Sequence, residues 1–232
     1  MWMNSYDIDY KIVRTGRKTV ALHIRDGVLE VRAPHRATIF LIEDIIREKK
    51  SWIVDKLASS KEKSERRSAF TVNYGDTVEF LGKPFHVKAV DGNRFGFNGE
   101  YFYMPPGLPP EHIKQICIRI YRMLAKEDLI PRTFGLSRRM CSFPYSVRVS
   151  GARTRWGSCS AQKNINFSWR LMMAEEELID YVVVHELAHL KEMNHSDRFW
   201  KIVEGVMPDW HDRRMRLKEL HRRLSVQDWQ ER

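Results

Sequence analysis

The chain of 232 residues contains no run of eighteen apolar residues, about the least a helix needs to cross a bilayer. Its opening stretch, Met1 to Asp7, lacks the charged-then-apolar order of a secretory signal. Together these absences predict a cytoplasmic protein with no membrane partner. Cysteine is scarce as well: Cys117, Cys141 and Cys159 are odd in number and widely spaced, which argues against a disulfide framework and against a thiolate-bound structural zinc. There is no G-x-x-x-x-G-K-[ST] loop, so any phosphate would have to be held by side chains. No zinc finger, helix-turn-helix or RNA-binding signature can be read, and there is no internal repeat or low-complexity segment.

The most informative absence is local. From Leu129 to Ala174 there is no acidic residue, while eight basic ones occur: Arg132, Arg138, Arg139, Arg148, Arg153, Arg155, Lys163 and Arg170. That stretch concentrates part of the net charge of +10. It reads either as an ordinary solvated basic surface or as a positive field that draws in nucleotides, nucleic acid or acidic peptides.

What is present starts from His185-Glu186-Leu187-Ala188-His189. On a helix the two histidines lie one turn apart on one face, and Glu186 can reach a water held by the cation they share. Leu178, Ile179, Tyr181, Val182, Val183, Val184, Leu187, Ala188 and Leu190 make that helix apolar almost all round, hence buried. Polar side chains buried there without partners cost roughly 2–7 kcal/mol each, so the reading as idle surface histidines is disfavoured. Asn194 can adopt the left-handed conformation that ends a helix, and a reversal there returns His195 as a third nitrogen ligand. Glu204, on the next helix, is the rival for that place. Three protein ligands with one open position suit a catalytic zinc, whereas structural zinc fills all four.

Residues 7–33 alternate as a small antiparallel sheet, with Asp26-Gly27 as a hairpin turn. Thr38 caps a helix expected to reach about Ser59, with Trp52 packed near its apolar face, and the polar stretch 59–69 reads as a linker or frayed end. Strands return over 77–81, 85–90, 94–97 and 101–104; their phenylalanines read as sheet core rather than base-stacking platforms. Pro105-Pro106-Gly107-Leu108-Pro109-Pro110 marks the expected domain boundary. A helix follows, with Lys114, Arg119 and Arg122 solvated and Pro131 ending or kinking it. Tyr145 to Ser150 reads as a strand and Ile165, Phe167 and Trp169 alternate along another, separated by a small-residue loop carrying Arg153, Arg155 and Trp156. The strand near Ile165 is the one expected to offer an edge to an extended peptide. Ser196 caps a further helix that Pro208 breaks, and a last one runs from about His211 to Leu224. The expected class is α+β: a β-rich, antiparallel N-terminal domain with one helix over residues 1–105, and a mainly helical domain with a small sheet over 106–232.

Three blocks carry a family resemblance: Arg155-Trp156-Gly157-Ser158-Cys159-Ser160; Ile165 to Leu171; and Ile179 to Val184 running through the histidine motif to Asn194-His195-Ser196 and Trp200. They resemble the YgjP-like zinc-dependent hydrolases, relatives of SprT-like and WLM metallopeptidases, sharply over Arg148 to Pro208. The resemblance implies a zincin-like domain over 106–232, zinc as cofactor, His185, His189 and His195 as ligands and Glu186 as catalytic base. The histidine spacing equals that of metzincins, but those carry a Gly where this chain has Glu192, so it is not assigned to them. The leading expectation is a zinc metallopeptidase acting on peptide or protein, with Arg153, Arg155 and Trp156 contacting substrate. The alternatives are a zinc-dependent nucleotide phosphohydrolase of the nucleoside triphosphate pyrophosphatase type, and a nucleic-acid-associated module. Cys159 packs its loop, reacts beside the arginines, or serves as a resting fourth ligand.

Overall fold

A computed structural model of the chain describes residues 2–230. The backbone divides into two compact units, Met1–Phe70 with Ser225–Asp228, and Thr71–Leu224 with Trp229–Arg232. The proline-rich stretch at 105–110 therefore lies inside the second unit, and the division falls after Phe70, some thirty-five residues before the punctuation that suggested a boundary at 105/106.

In the first unit β1 (Trp2–Ser5), β2 (Ile8–Thr15), β3 (Ala21–Arg25) and β4 (Val28–Pro34) form a sheet in the order β1-β2-β4-β3. Asp26 and Gly27 both have positive φ, 48° and 78°, which is the two-residue hairpin that folds β4 back on β3. The expectation of a purely antiparallel sheet fails at its centre, where β2 and β4 run parallel. Burial explains the insertion: Leu29, Val31 and Ala33 of β4 are wholly buried, whereas no residue of β3 is. The apolar strand takes the middle and the less apolar one the edge. Thr38 caps α1 (Ile39–Glu48) by accepting from the Leu41 amide, and α2 (Lys50–Ser68) continues well past the expected end at Ser59. The i,i+4 pair Arg66–Glu62 at 2.7 Å and the Gly27 amide bonded to Ser60 Oγ at 3.0 Å help the polar tail stay helical. Ile42, Ile46 and Ile53 pack on the sheet, while Trp52 is 45% exposed and does not join them.

The second unit begins with a sheet of β5 (Thr77–Phe80), β6 (Lys83–Ala89), β7 (Gly96–Phe97) and β8 (Tyr101–Met104), ordered β5-β6-β8-β7. Phe80, Phe85, Phe97 and Phe102 meet with centroids 5.0–6.3 Å apart, so these rings are core. Next comes α3 (Pro110–Met140), which runs straight through Pro131. Leu129, Thr133, Leu136, Ser137 and Met140 are all buried beyond or beside the proline, and their packing outweighs the roughly 3 kcal/mol an interior proline costs. Lys114 is also not solvated as expected: it is 4% exposed, with Nζ 3.0 Å from Glu111.

β9 (Ser146–Ser150), β10 (Gly157–Cys159) and β11 (Asn164–Ser168) make a small sheet ordered β10-β11-β9. The expected small-residue loop thus contains a strand. β11, which carries Ile165, is the middle strand and is paired on both sides, so the free edges belong to β9 and β10. A 3₁₀ turn at Trp169–Met173 leads to α4 (Glu176–Ala188), followed by α5 (Asp197–Glu204) and α6 (Trp210–Leu224). Arg216 of α6 pairs with Glu175 and Glu177 at the start of α4. No helix among the described residues is long and apolar enough to cross a membrane.

Replacing Pro131 by Ala restores a helical amide donor at an exposed position and should stabilise the chain by about 1–3 kcal/mol. The check is a higher urea midpoint at unchanged slope; an unchanged or lower midpoint contradicts the account.

Candidate metal centre

The helix α4 is buried because nine of its residues, Leu178, Ile179, Tyr181 to Val184 and Glu186 to Ala188, are inaccessible. It ends at Ala188, with His189 as a right-handed C-cap. The expected left-handed Asn194 is not found; among the described residues none between His189 and Ser196 has positive φ. Instead a succession of turn bonds, Leu190 N to Leu187 O at 3.2 Å and Lys191 and Glu192 N to Ala188 O at 3.0 Å, turns the chain. Two contacts from α3 and its C-terminal turn tie that reversal down. Lys191 Nζ donates to the Met140 carbonyl at 2.6 Å, and Ser142 Oγ donates to the Leu187 carbonyl at 2.9 Å.

The outcome is a cluster in which one potential ligand atom from each of His185, His189 and His195 lies within 4.8 Å of the others. His185 Nε2 and His195 Nε2 are 3.0 Å apart. Tetrahedral zinc, with Zn–N of about 2.0–2.1 Å, would set its ligands roughly 3.3 Å apart, so the spacing fits with little movement. His189 Nδ1 sits 3.1 Å from the Glu192 carbonyl, a contact that assigns the proton to Nδ1 and leaves the Nε2 lone pair for a cation. Burial, followed by the charges of His189, His195 and Arg214, pushes His185 down to about 3, so it is neutral and able to ligate. Two buried atoms here, His185 Nδ1 and Glu186 Oε2, have no hydrogen-bond partner. Glu204, the rival ligand, is exposed on α5 and outside the cluster.

Glu186 is 5% exposed, and burial pushes its carboxyl up to about 8 against the opposing pull of Arg155. Its position depends on β10. A Cβ at Gly157 would lie 2.6 Å from Glu186 Oε1 and 2.7 Å from Cγ, closer than real contacts allow. Gly157 is thus the residue that lets the carboxylate lie against the strand. The sequence places it in a small-residue loop and in a resemblance block, with the Gly157-Ser158 backbone as a candidate oxyanion donor, but nothing local announces which distant side chain needs the space.

The sequence also gave no notice of the aromatic frame. Phe199, wholly buried, has its ring centroid 4.9, 4.5 and 4.7 Å from those of His185, His189 and His195. It forms the floor of the cluster. Trp200 stacks on His195 at 5.6 Å, is itself stacked on Trp210 at 4.0 Å, and has the Arg214 guanidinium 5.2 Å over its ring. His195 is exposed and lies outside any helix, so this stack supplies the ordering that the backbone does not. The sequence marks only a Ser196-capped helix here; that its Phe199 and Trp200 meet the imidazoles is a tertiary fact.

Of the expected substrate contacts, Arg153 and Arg155 are exposed and form no ion pair among the described residues. Trp156 is half-buried with its ring edge-on to His221 of α6 at 5.8 Å, and the rings packed on the histidine cluster are Tyr181, Phe199 and Trp200 instead. Cys159 is half-buried, and its thiol is pushed up to about 11 by burial and by Glu186, which disfavours the reactive thiolate.

Trp200→Ala should weaken zinc affinity about 10–100-fold, the range seen when outer contacts of a ligand are removed, while leaving the fold intact. Competition with a chromophoric chelator measures it; unchanged affinity would remove the stack from the account. Gly157→Ala should keep bound zinc but displace Glu186, and retained hydrolysis with retained metal would contradict that role.

A segment of 65 residues is 33% identical to the UTP pyrophosphatase of Escherichia coli (strain K12), covering 28% of this chain and 39% of that enzyme. The chain thus spans well under half the length of that relative. Two solved structures are also similar. The metallopeptidase zymogen abylysin of Pyrococcus abyssi is 25% identical with a TM-score of 0.36, covering 38% of this chain and 90% of that one. The zymogen jannalysin of Methanocaldococcus jannaschii is 16% identical with a TM-score of 0.36, covering 40% and 95%. The broadest match is to the family described as YgjP-like, metallopeptidase domain, over residues 18–220. A match of that extent, on a chain whose histidines converge as described, makes this protein a member of the YgjP-like metallopeptidase-domain family.

Proposed function

We propose that the chain is a zinc-dependent hydrolase cleaving peptide bonds, with His185, His189 and His195 as the metal ligands and Glu186 as the general base. The observation that carries this reading is the convergence of three imidazoles beside a buried, unpartnered carboxylate. Zinc bound there would supply Lewis acidity, acidifying water toward neutral pH and polarising a carbonyl. The protein's own groups do the rest. Glu186, buried beside the three imidazoles, would accept a proton from the attacking water and return it to the leaving amine. An extended peptide would lie along the free edge of β10, the strand whose Gly157 touches Glu186, rather than along β11. Arg155, whose charge is felt at Glu186, would donate to the developing oxyanion, and Arg153 would contact substrate beyond it. Trp156 would act by holding the start of β10 against α6. We place the protein in the cytoplasm.

A second reading changes the substrate. The relative named a UTP pyrophosphatase, together with exposed arginines that lack acidic partners, supports hydrolysis of a nucleoside triphosphate at the same centre.

Glu186→Gln should retain one zinc per chain and lose activity by about 10²–10⁴-fold, the usual contribution of a positioned base. The assay pairs a quenched-peptide library with phosphate or pyrophosphate release from UTP and other nucleotides. Metal-dependent peptide cleavage lost in the variant supports the peptidase; nucleotide turnover alone transfers the proposal to the second reading. Full activity of the variant on either substrate refutes the base assignment.

A further inference from the structure

Five arginines lie on α6, and four of them are paired. Arg213 binds Asp209 and donates to the Glu177 carbonyl, and Arg216 pairs with Glu175, Glu177 and Asp212. Arg222 pairs with Glu219, and Arg223 with Glu79. Arg214 is the exception: it is exposed, and among the described residues it forms no ion pair and no hydrogen bond. Helical spacing gives the reason. Residues three and four apart are neighbours on a helix, and those of Arg214 are Trp210, His211, Leu217 and Lys218, none of them acidic. Arg213 and Arg216 each find an aspartate four residues back.

Arg214 is nevertheless held beside the histidine cluster. Its Cζ lies 5.2 Å from the centroid of the Trp200 ring, which stacks on His195 at 5.6 Å and lies 5.9 Å from the ring of His185. Trp210, one turn before Arg214, stacks on the same indole at 4.0 Å, so α6 delivers a ring and a cation to one platform. The charge is felt at His185 and at the hydroxyl of Tyr181, one turn earlier on α4. A guanidinium lying over an aromatic face keeps its N–H edges available for a carboxylate, which it can bind with two parallel hydrogen bonds. A merely solvated arginine could stand anywhere on α6. The unpaired one stands on the ring that seats His195.

We infer that Arg214 sets the specificity of the centre by binding a carboxylate of the peptide substrate, borne by an acidic side chain or by the end of the chain. The inference rests on the peptidase reading for the identity of the substrate, while the contact itself is one of binding and is tested without turnover. Trp200 then serves twice, stacking on His195 and carrying the cation that orients substrate. A contact of this kind is made in the ground state as well as in the transition state, so its loss raises KM and leaves kcat nearly unchanged.

The test uses the full zinc-loaded chain, titrated calorimetrically with monohydroxamates of the dicarboxylic acids from succinic to suberic. Each is compared with its neutral methylamide; the hydroxamate anchors on zinc and the far group probes Arg214. At least one length should bind ten times or more tighter as the carboxylate than as the amide. Arg214→Gln should erase that preference while zinc affinity and amide binding are unchanged, and Arg214→Lys should restore only part of it. Malonyl hydroxamates coupled to glutamic acid amide, or to leucine with a free carboxyl, are each compared with the leucine amide to tell a side-chain carboxylate from a terminal one. Preference for either supports the inference, and preference for neither contradicts it. No preference at any length, or a preference that survives in Arg214→Gln, overturns it. Equal weakening of zinc, carboxylates and amides in that variant would also overturn it, making Arg214 a brace for Trp200. Hydroxamates that fail to bind at all remove the metal centre and the inference with it. A carboxylate preference in a chain that cleaves no peptide leaves the site standing and removes the peptidase reading alone.

Discussion

The constraint on which the second unit depends is the burial of polar atoms on α4. A helix with valine, leucine and isoleucine on nearly every side has no solvated face on which to keep His185 and Glu186, so both are desolvated by the same packing that makes the helix stable. That desolvation has chemical consequences in opposite directions: it strips the proton from the imidazole and favours it on the carboxyl. Neither group satisfies all its buried atoms within the protein. Three imidazoles able to hold an ion beside a buried carboxylate fit the proposed metal centre better than a purely structural helix.

Around that helix the rest of the unit works by contact. Gly157 yields its side-chain space to Glu186, Ser142 and Lys191 anchor the turn after His189, and Phe199 with Trp200 seats the third imidazole. None of these is a ligand. Each fixes a degree of freedom that the ligands would otherwise retain, which is how a site reaches working geometry before its substrate arrives.

Much of this was legible in the sequence because it is local. The His185/His189 pair follows from helical pitch, the Asp26-Gly27 hairpin from turn chemistry, and the Thr38 and Ser196 caps from side chains that satisfy nearby amides. What could not be read is set by partners distant in the chain. Pro131 does not break α3 because burial on both sides of it outweighs its local cost, and β4 inserts beside β2 because it is the more apolar strand. The unit boundary after Phe70 follows contacts and not punctuation, so a proline cluster inside a unit misleads. The basic stretch was visible as composition, but only pairing separates Arg132 and Arg170, which hold the fold, from Arg148 and Arg155, which face solvent unpaired.

The central claim is that three imidazoles share one ion and leave it a free coordination position. X-ray absorption at the zinc edge on the zinc-loaded chain measures this directly. The account predicts three nitrogen scatterers with imidazole signatures and one light exchangeable ligand, at about 2.0–2.1 Å. A sulfur scatterer near 2.3 Å, which would bring Cys159 into the first sphere, or four protein ligands with no exchangeable one, would contradict it.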